Sequence, residues 1–490
     1  MDGSRIVLWG LLFGAPLWIG CGAPEPDSAA DPAPSTRPAR VGSPAGPPPN
    51  VLLIVLDTTR RDRLSTYGYD RLTSPVLDHF ATRALVYENA ISSGSWTLPS
   101  HASLFTGMFA RDHLTTIENM KLDPSFTTLA ELFRDNGYDT AAFTCNPWIA
   151  AHTGLDQGFQ TLVPVWSEID RDNGPDYHGA MEATRGALAW IDERASGGRP
   201  FFMFINYLEP HAPYRPRGEW RERFLPPGTD RAAVDEVSEW KTPREFGYML
   251  GVPGYAVSQE QFELIGALYD ADVAYQDFRL GELLDGLDAR GLRESTVIAI
   301  VADHGEQLGE HGMMDHKMTL YEENIRVPLL LGYPGRLPAG VRLAATVQTH
   351  DLFPTLTGLA GIEFDPPYGS RPLPLDEGQD GPGRRYTFVE FGRPTLFMKI
   401  MTEEWPDAGI KRFDRQLRSI RGEGFKLIWT SDGRHELYDL EVDPGEQVNL
   451  AAERPVQLAE LRRLLLGFHA GRMDMIDADP GTANGSRRLR

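Results

Sequence analysis

The sequence predicts an α/β fold, a sandwich in which helices flank a mostly parallel central sheet. Short, continuous apolar runs alternate with helical stretches from residue 49 onward. Strands that are buried on both faces have this uninterrupted apolar character, and parallel sheets consist of such strands. The runs are VLLIVL (51–56), TAAFT (140–144), FFMFI (201–205) and TVIAIVA (296–302).

Helix candidates and a change of pattern complete the predicted architecture. The segment 270–291, DADVAYQDFRLGELLDGLDARG, predicts a helix that ends at a glycine C-cap. After residue 375 the chain reads as short strands joined by polar turns, RRYTFVEF, RSIRGEGFKLIWT and HELYDL, followed by the helix candidate PVQLAELRRLLLGFHA. We therefore expect a main domain over 49–375 and a small C-terminal subdomain over 376–470, made of an antiparallel sheet and one closing helix.

Charge and cysteine content exclude some classes of protein. The chain has 490 residues and a formal net charge of -21. Binding to nucleic acid requires a basic surface, so this charge argues against nucleic acid as a partner. The two cysteines, Cys21 and Cys145, lie far apart in different settings, and a disulfide framework is therefore not expected. Cys145 is interpreted as a small buried hydrophobic residue.

Residues 1–21 are typical of a signal peptide. Arg5 precedes the apolar run IVLWGLLFGAPLWIG, which is too short for a comfortable membrane span. Gly20 directly before Cys21 suits lipoprotein cleavage, with Cys21 as the lipidated first residue; an ordinary secretory signal is the alternative. Both interpretations place the mature chain outside the cytoplasm. The first predicts a bacterial lipoprotein of the periplasm or cell surface, held at the membrane only by a lipid anchor.

Two further segments are predicted to lack a packed core. Residues 22–48 consist mainly of Pro, Ala, Ser and Gly, with almost no large apolar residue. Such a segment cannot bury enough surface to offset its ordering entropy, so we interpret it as a disordered tether. Residues 471–490 are interpreted as a flexible tail.

Acidic residues follow two of the predicted strands. VLLIVL is followed by Asp57, and TVIAIVA is followed by Asp303 and then His304. In open α/β sheets ligands gather at the carboxyl ends of strands, so these side chains are predicted to converge on one divalent metal. Taken singly, an aspartate after a strand is also typical of a helix N-cap or a turn.

Thr97 precedes a short helix candidate in SWTLPSHASLFTG. One interpretation is a helix N-cap. The other uses the same geometry for chemistry, because the free N–H groups and the positive dipole end of a helix N-terminus suit a tetrahedral anion. A metal bound to the hydroxyl would lower its pKa and activate it as a nucleophile.

Five sequence blocks occur together in a fixed order. They are NVLLIVLDTTRRDRLSTYGYDRLTSPVLDHFA, TLPSHASLFTG, FFMFINYLEPHAPY, TVIAIVADHGEQLGEHG with HKMTLYEENIRVPLLL, and KLIWTSDGRHELYDLEVDPGEQVNL. Together they resemble the sulfatase family of the alkaline phosphatase superfamily, over residues 49–465. The resemblance implies an alkaline-phosphatase-like fold and a hydrolase that acts on ester bonds.

The resemblance implies a metal site. Asp57 matches the first metal-binding aspartate of the family, and Asp303 with His304 matches a later pair of ligands. Thr97 stands at the position of the nucleophile, which is also a metal ligand. Thr58 stands where many sulfatases have a second aspartate.

The resemblance also implies substrate contacts. Lys317 matches a lysine that contacts the substrate anion, and His211 matches a histidine that contacts the substrate or protonates the leaving group. Both are predicted to be catalytic and substrate-binding. His101, predicted to bind substrate, replaces the arginine of the family's nucleophile motif.

Threonine at the nucleophile position changes the expected chemistry. Sulfatases usually oxidise a cysteine or serine to formylglycine, but oxidation of Thr97 would give a ketone, so no formylglycine is expected. Threonine can attack phosphorus, as in related phosphodiesterases and headgroup transferases. Phosphate monoesters or diesters are therefore favoured over sulfate esters. The alternatives are a sulfuric ester hydrolase without formylglycine, a phosphoryl-headgroup transferase and an inactive anion-binding protein.

The ligand set bears on the metal and the substrate. His304 favours manganese or zinc over calcium or magnesium, because imidazole suits those ions. No clear second-metal set is evident, although His311 and His316 in GEHGMMDHK leave the question open. The expected partner is an anionic ester of a small molecule, a glycan or a lipid headgroup.

Overall fold

A mixed sheet of nine strands lies at the centre of the part of the chain that this computed structural model describes, which is residues 46–168, 179–194, 198–367, 369–376 and 383–471. All of the strands, including those of two smaller sheets, are β1 (Asn50–Leu56), β2 (Leu85–Ile91), β3 (Asp139–Thr144), β4 (Thr161–Pro164), β5 (Phe201–Tyr207), β6 (Thr296–Val301), β7 (Gln307–Leu308), β8 (Met314–Asp315), β9 (Arg326–Val327), β10 (Leu329–Gly332), β11 (Val341–Gln348), β12 (Thr387–Phe391), β13 (Leu417–Gly422), β14 (Phe425–Thr430) and β15 (Glu436–Asp439).

The sheet order places the four predicted apolar runs side by side. It runs β11-β2-β10-β6-β1-β5-β3-β4, with β9 paired to β2. The neighbours β6, β1, β5 and β3 are all parallel, whereas β10 is antiparallel to both β6 and β2. Every residue of 51–56 in β1 is buried, because helices cover both faces. The predicted fold class is confirmed.

Helices pack on both faces of this sheet, and one helix, the last, packs on a smaller sheet. In chain order, the helices of the described residues are α1 (Pro75–Ala81), α2 (Thr97–Thr106), α3 (Ala110–His113), α4 (Leu129–Asp135), α5 (Val165–Glu168), α6 (Gly179–Arg194), α7 (Arg231–Ser238), α8 (Thr242–Leu250), α9 (Gln259–Ala289), α10 (Glu322–Ile325), α11 (Leu352–Leu359), α12 (Thr395–Glu404) and α13 (Pro455–His469).

The predicted helix 270–291 corresponds to the C-terminal part of α9, which begins earlier than predicted. A capping box sets its start, because the Ser258 hydroxyl accepts from the Gln261 N–H while the Gln261 side chain accepts from the Ser258 N–H. The end agrees with the prediction, since Gly291 follows the helix with a φ of 65°.

A second sheet lies in the C-terminal part of the chain, as predicted. Its four antiparallel strands have the order β12-β13-β14-β15, and α13 packs on β13 and β14. Their shared apolar core includes Phe388, Ile420, Leu427 and Phe468. The buried Lys426 ammonium of β14 contacts Glu322 and Glu446, at 3.1 and 2.9 Å.

The predictions for the two ends of the chain fall largely outside the described residues. The signal peptide with Cys21, most of the tether and all but the first residue of the tail are among the residues not described, and those interpretations stay predictions. Within the described ranges, no helix is both long and apolar enough to cross a membrane. Cys145, which is described, is fully buried as predicted.

Candidate active site

The candidate site lies at the carboxyl ends of four adjacent parallel strands. Asp57 follows β1, Asp303 follows β6, Asn146 follows β3, and Asn206 lies near the end of β5. Because these strands are neighbours in the order β6-β1-β5-β3, their polar ends meet at one edge of the sheet. All four side chains are buried, with exposures of 2% or less.

Asp57, Asp303 and His304 form a compact cluster of ligand atoms, all within 4.8 Å of one another. The Nε2 atom of His304 lies 3.3 Å from Asp303 Oδ2 and 4.0 Å from Asp57 Oδ1. His304 Nδ1–H donates to the Gly305 carbonyl at 2.9 Å. A carbonyl only accepts, so Nδ1 carries the proton and the Nε2 lone pair faces the two carboxylates.

The electrostatics of this cluster favour a bound cation. Burial raises the pKa of Asp57 to about 6, although the hydrogen bond from Asn146 opposes the shift. Burial also raises the pKa of Asp303, with the charge of Asp57 adding to the effect, and lowers the pKa of His304. Asp57 Oδ1 and Asp303 Oδ2 accept no hydrogen bond from the described residues. Two unpaired carboxylate oxygens and an imidazole lone pair are a donor set that fits one divalent ion.

The structure brings Thr97 to this cluster. Asn146 Nδ2 donates to Thr97 Oγ1 at 3.2 Å and to Asp57 Oδ2 at 2.8 Å. The Thr97 hydroxyl lies 3.4 Å from His304 Nε2, to which it can donate. The N-cap interpretation of Thr97 is wrong, because Trp96 occupies the cap position and Thr97 is the first helical residue. Its hydroxyl instead contacts groups contributed by other strands.

Close packing positions the N-terminus of α2 against the loop that carries Asp303 and His304. The Ser92 and Ser100 hydroxyls both donate to the Asp303 carbonyl, the latter at 2.7 Å. Gly94 lies against the first turn of the helix, where a Cβ atom would be 2.6 Å from the Ser100 nitrogen. A side chain at residue 94 would therefore displace the helix that carries Thr97.

His211 lies on the loop after β5. Its Nδ1–H donates to the Ala212 carbonyl at 2.7 Å, so Nε2 carries the ring lone pair. Burial, together with the charges of His316 and Lys317, lowers the pKa of His211 to about 3. The imidazole is therefore neutral, with Nε2 as a proton acceptor.

Lys317 lies beside Asp315, with which its ammonium forms an ion pair. Burial lowers the pKa of Lys317, while the charges of Glu245 and Glu306 oppose that change. His316 lies between His211 and the cluster of Asp57, Asp303 and His304. Its ring centroid lies 5.0 Å from that of His211 and 4.5 Å from that of His304.

His101 is fully buried in α2 beneath the cluster. Its Nδ1–H donates to the Thr97 carbonyl at 2.8 Å, and Nδ1 lies 3.5 Å from Asp303 Oδ2. The ring packs edge-on against Phe105 and Phe204, and burial lowers its pKa to about 4. Its assignment as a substrate contact stays a prediction. This position suits a neutral imidazole that supports Asp303 and the first turn of the helix.

Thr58 directly follows Asp57 and is fully buried. The residue has a φ of 50°, and its backbone N–H donates to Asp303 Oδ1 at 3.2 Å. Its hydroxyl is buried and has no hydrogen-bond partner among the described residues. The main chain of Thr58 thus orients Asp303, a predicted metal ligand.

Asn146 and Asn206 are site residues that sequence reasoning missed. Asn206 Nδ2 donates to Asp57 Oδ2 at 3.3 Å, and its side-chain oxygen accepts from the Asn146 N–H at 3.0 Å. The sequence contains a signal for both, because each asparagine stands at or just after the end of a continuous apolar run. The rule that predicted the acidic ligands would have found them.

A second ligand cluster is formed by Glu306, Asp315 and His316, of which only His316 was a candidate from the sequence. His311, the other histidine considered for a second metal, belongs to neither cluster. Its ring stacks on Tyr321 with centroids 3.7 Å apart.

Two acids, a histidine and a helix-terminal hydroxyl meet at one buried point at the ends of parallel strands. The fold and the comparisons with known proteins together identify an ester-acting hydrolase with an alkaline-phosphatase-like fold. Residues 49–362 match the family model described as Sulfatase, and residues 309–465 match the one described as N-sulphoglucosamine sulphohydrolase, C-terminal. The chain belongs to the sulfatase family.

Individual relatives agree with this assignment. The chain is 26% identical over 424 residues to the ulvan-active sulfatase of Formosa agariphila, covering 82% of this chain and 77% of that protein. It is 26% identical over 447 residues to the choline-sulfatase of Rhizobium meliloti, covering 82% of each. The crystal structure of a phosphonate monoester hydrolase from Agrobacterium radiobacter has a TM-score of 0.71 at 24% identity, covering 86% of this chain and 96% of that one.

Proposed function

We propose that this protein is a metal-dependent hydrolase of anionic esters in which the Thr97 hydroxyl is the covalent nucleophile. One observation carries the proposal. Thr97 Oγ1 lies at a helix N-terminus within 3.4 Å of both His304 Nε2 and Asn146 Nδ2, and that same amide also holds Asp57. A hydroxyl that only stabilised the helix would not need contacts from two other strand ends.

Asp57, Asp303, His304 and Thr97 would hold a divalent ion, which when bound supplies charge that favours the alkoxide form of Thr97 and offsets charge on the ester. Manganese or zinc is favoured by the imidazole ligand. In the first step Oγ1 forms a bond to phosphorus while the bond to the alcohol breaks. The proton lost by the hydroxyl balances the proton that the departing alkoxide takes up.

The second step returns the threonine. Water attacks phosphorus, the bond from phosphorus to Oγ1 breaks, and Thr97 regains a proton as phosphate leaves. Neutral His211, whose Nε2 is a proton acceptor, is suited to take the proton from the water. The Lys317 ammonium is suited to contact the anionic oxygens of the substrate.

Phosphorus is favoured over sulfur because of the chemistry of threonine. A formylglycine hydrate releases sulfate by elimination through its second hydroxyl, and Thr97 has one hydroxyl and a methyl group instead. A phosphothreonine needs no elimination, since water can displace it directly. Sulfate esters are the second candidate, supported by the names of the curated relatives, which are sulfatases.

The substrate class and location belong to the same proposal. One protein of the same fold was solved with its substrate D-glucosamine-2-N,6-O-disulfate, at a TM-score of 0.69 and 22% identity, covering 87% of this chain and 98% of that one. A glycan ester is thus one candidate, and a lipid-headgroup ester is the other. The Gly20–Cys21 motif supports a lipid-anchored, extracytoplasmic enzyme.

Two threonines of α2 make a matched test. Thr97→Ala should reduce turnover by at least about a thousandfold, because covalent catalysis has no substitute nucleophile. Thr106→Ala removes a buried hydroxyl that donates to the Ala102 carbonyl at 2.6 Å, away from the site. Each variant should lose about 1 kcal/mol of stability. Activity should be measured on phosphate monoester, phosphate diester and sulfate ester substrates, with Mn²⁺ or Zn²⁺.

Mass spectrometry of the quenched reaction should find a phosphoryl adduct on the peptide that contains Thr97. An active Thr97→Ala enzyme would contradict the nucleophile assignment. A sulfuryl adduct would reverse the preference for phosphorus, and transfer to an added alcohol in place of water would identify a transferase. Metal binding without turnover of any ester would favour an anion-binding protein.

A further inference from the structure

A second group of metal-ligating side chains lies beside the first. Glu306, Asp315 and His316 each place a ligand atom within 4.8 Å of the other two. The three residues are 0%, 3% and 5% exposed. The ribbon of β7 and β8 brings them together, because Gln307 pairs with Asp315 in that two-stranded sheet.

The distances within this group are those of a coordination shell. His316 Nδ1 lies 3.1 Å from Glu306 Oε1 and 2.9 Å from Asp315 Oδ1. Two adjacent ligands bound at about 2.1 Å in an octahedral shell are separated by about 3.0 Å. A proton on Nδ1 could account for the same two distances, but it would leave the other oxygen of Glu306 without a partner.

That second oxygen is an independent indication of a missing cation. Glu306 Oε2 is buried and accepts no hydrogen bond from the described residues. A buried carboxylate oxygen without a partner is costly, and such atoms usually have a protein, water or ion partner. Asp315 can bind a cation and keep its ion pair with Lys317, because its Oδ1 faces His316 while its Oδ2 faces the Lys317 ammonium.

The surrounding charge also favours a cation. Buried carboxylates around the two clusters are Asp57, Glu245, Asp303, Glu306 and Asp315. With all five groups ionised, Lys317 and one divalent ion would offset three of the negative charges, and a second divalent ion would offset the other two. The nearby Arg60 guanidinium is engaged by Asp62 and Glu310, each at 2.7 Å.

We propose that Glu306, Asp315 and His316 bind a second divalent cation, with Mn²⁺ as the preferred ion. Two carboxylates and one imidazole suit this metal. The ring centroids of His304 and His316 are 4.5 Å apart, so the two ligand groups are neighbours. The second site stands on its own three ligands and does not require that Thr97 be the nucleophile.

Manganese alone is a sufficient probe. The purified full chain should be stripped with a chelator, dialysed against Mn²⁺ and analysed for metal and protein content. The wild type should bind two ions per chain, and electron paramagnetic resonance should show an exchange-coupled pair. Glu306→Gln keeps the side-chain shape but loses the charge, so it should weaken the second ion by at least about 100-fold and leave a single, uncoupled ion. Glu263→Gln, an exposed carboxylate on α9, is the control.

The same measurement separates the two metal sites. Asp57→Asn should lose the first ion and retain the second. The second site is refuted if the wild type saturates with one ion that Asp57→Asn abolishes, or if folded Glu306→Gln still binds two. If the wild type binds one ion that Glu306→Gln abolishes and Asp57→Asn does not, the second site stands and the first fails. The number of ions that the wild type binds tests the second site even if Glu306→Gln does not fold.

Discussion

Asp57→Asn should make the metal-free protein more stable at neutral pH and reduce its stabilisation by metal. Asp57 is fully buried, and its Oδ2 already accepts from Asn146 and Asn206 at 2.8 and 3.3 Å. Its Oδ1 has no hydrogen-bond partner among the described residues. An asparagine would keep an oxygen acceptor at the position of Oδ2 and place a neutral amide nitrogen at the position of Oδ1.

The expected gain follows from the pKa of this carboxyl group. Burial raises the pKa of Asp57 from 3.8 to about 6, so ionising it costs about 3 kcal/mol more in the native state than in the unfolded state. Between these two pH values the native state holds a proton that the unfolded state releases. Stability therefore falls as pH rises through this window, and the full cost is present above the upper value. The amide removes that cost at neutral pH and has little effect below the lower value.

Denaturant unfolding of both proteins in chelator, at neutral pH and at about pH 3.5, measures this difference. With a metal concentration of 100 times the Kd of the first site, the wild type should gain about 2.7 kcal/mol more than the variant. Asp123→Asn is the control, because this exposed carboxylate accepts from the Ser125 N–H at 2.8 Å as an asparagine also can. The reasoning is refuted if Asp57→Asn is no more stable than the wild type in chelator at neutral pH, or if its advantage persists unchanged at acid pH.

Two further substitutions test a hydrogen bond and a packing contact of the site, and a third serves as the control for packing. Asn146→Ala removes the donor shared by a metal ligand and Thr97. A hydrogen bond to a charged group contributes about 1.5–3 kcal/mol, so kcat/KM should fall by about 10- to 100-fold in steady-state kinetics; an unchanged value would exclude a positioning role. Gly94→Ala should destabilise the protein by about 1–3 kcal/mol in denaturant unfolding, because the added methyl group meets the backbone of α2. At Gly266, inside α9, an added Cβ would meet only the end of the Arg63 side chain, at an ordinary contact distance of 3.5 Å, so Gly266→Ala should instead stabilise by about 0.5–1 kcal/mol.

The sequence by itself determined the central strands and the ligands that follow them. A strand buried on both faces must be apolar at every position, and this local requirement is visible as a continuous run of apolar residues. A charged residue directly after such a run lies at the sheet edge whatever the rest of the chain does. The sequence alone therefore predicts that Asp57, Asp303 and His304 belong to one site.

Only the tertiary structure decided which other groups meet them. Asn146 contacts Asp57 because β3 and β1 lie on either side of β5 in the sheet. This strand order results from pairing between distant parts of the chain, which a local sequence pattern does not predict. The N-cap and nucleophile interpretations of Thr97 predict the same local sequence, and they differ in where the hydroxyl points. Glu306 and His316 are in contact because β7 and β8 pair and bring the chain back on itself. That pairing depends on backbone hydrogen bonds rather than on a pattern of side chains.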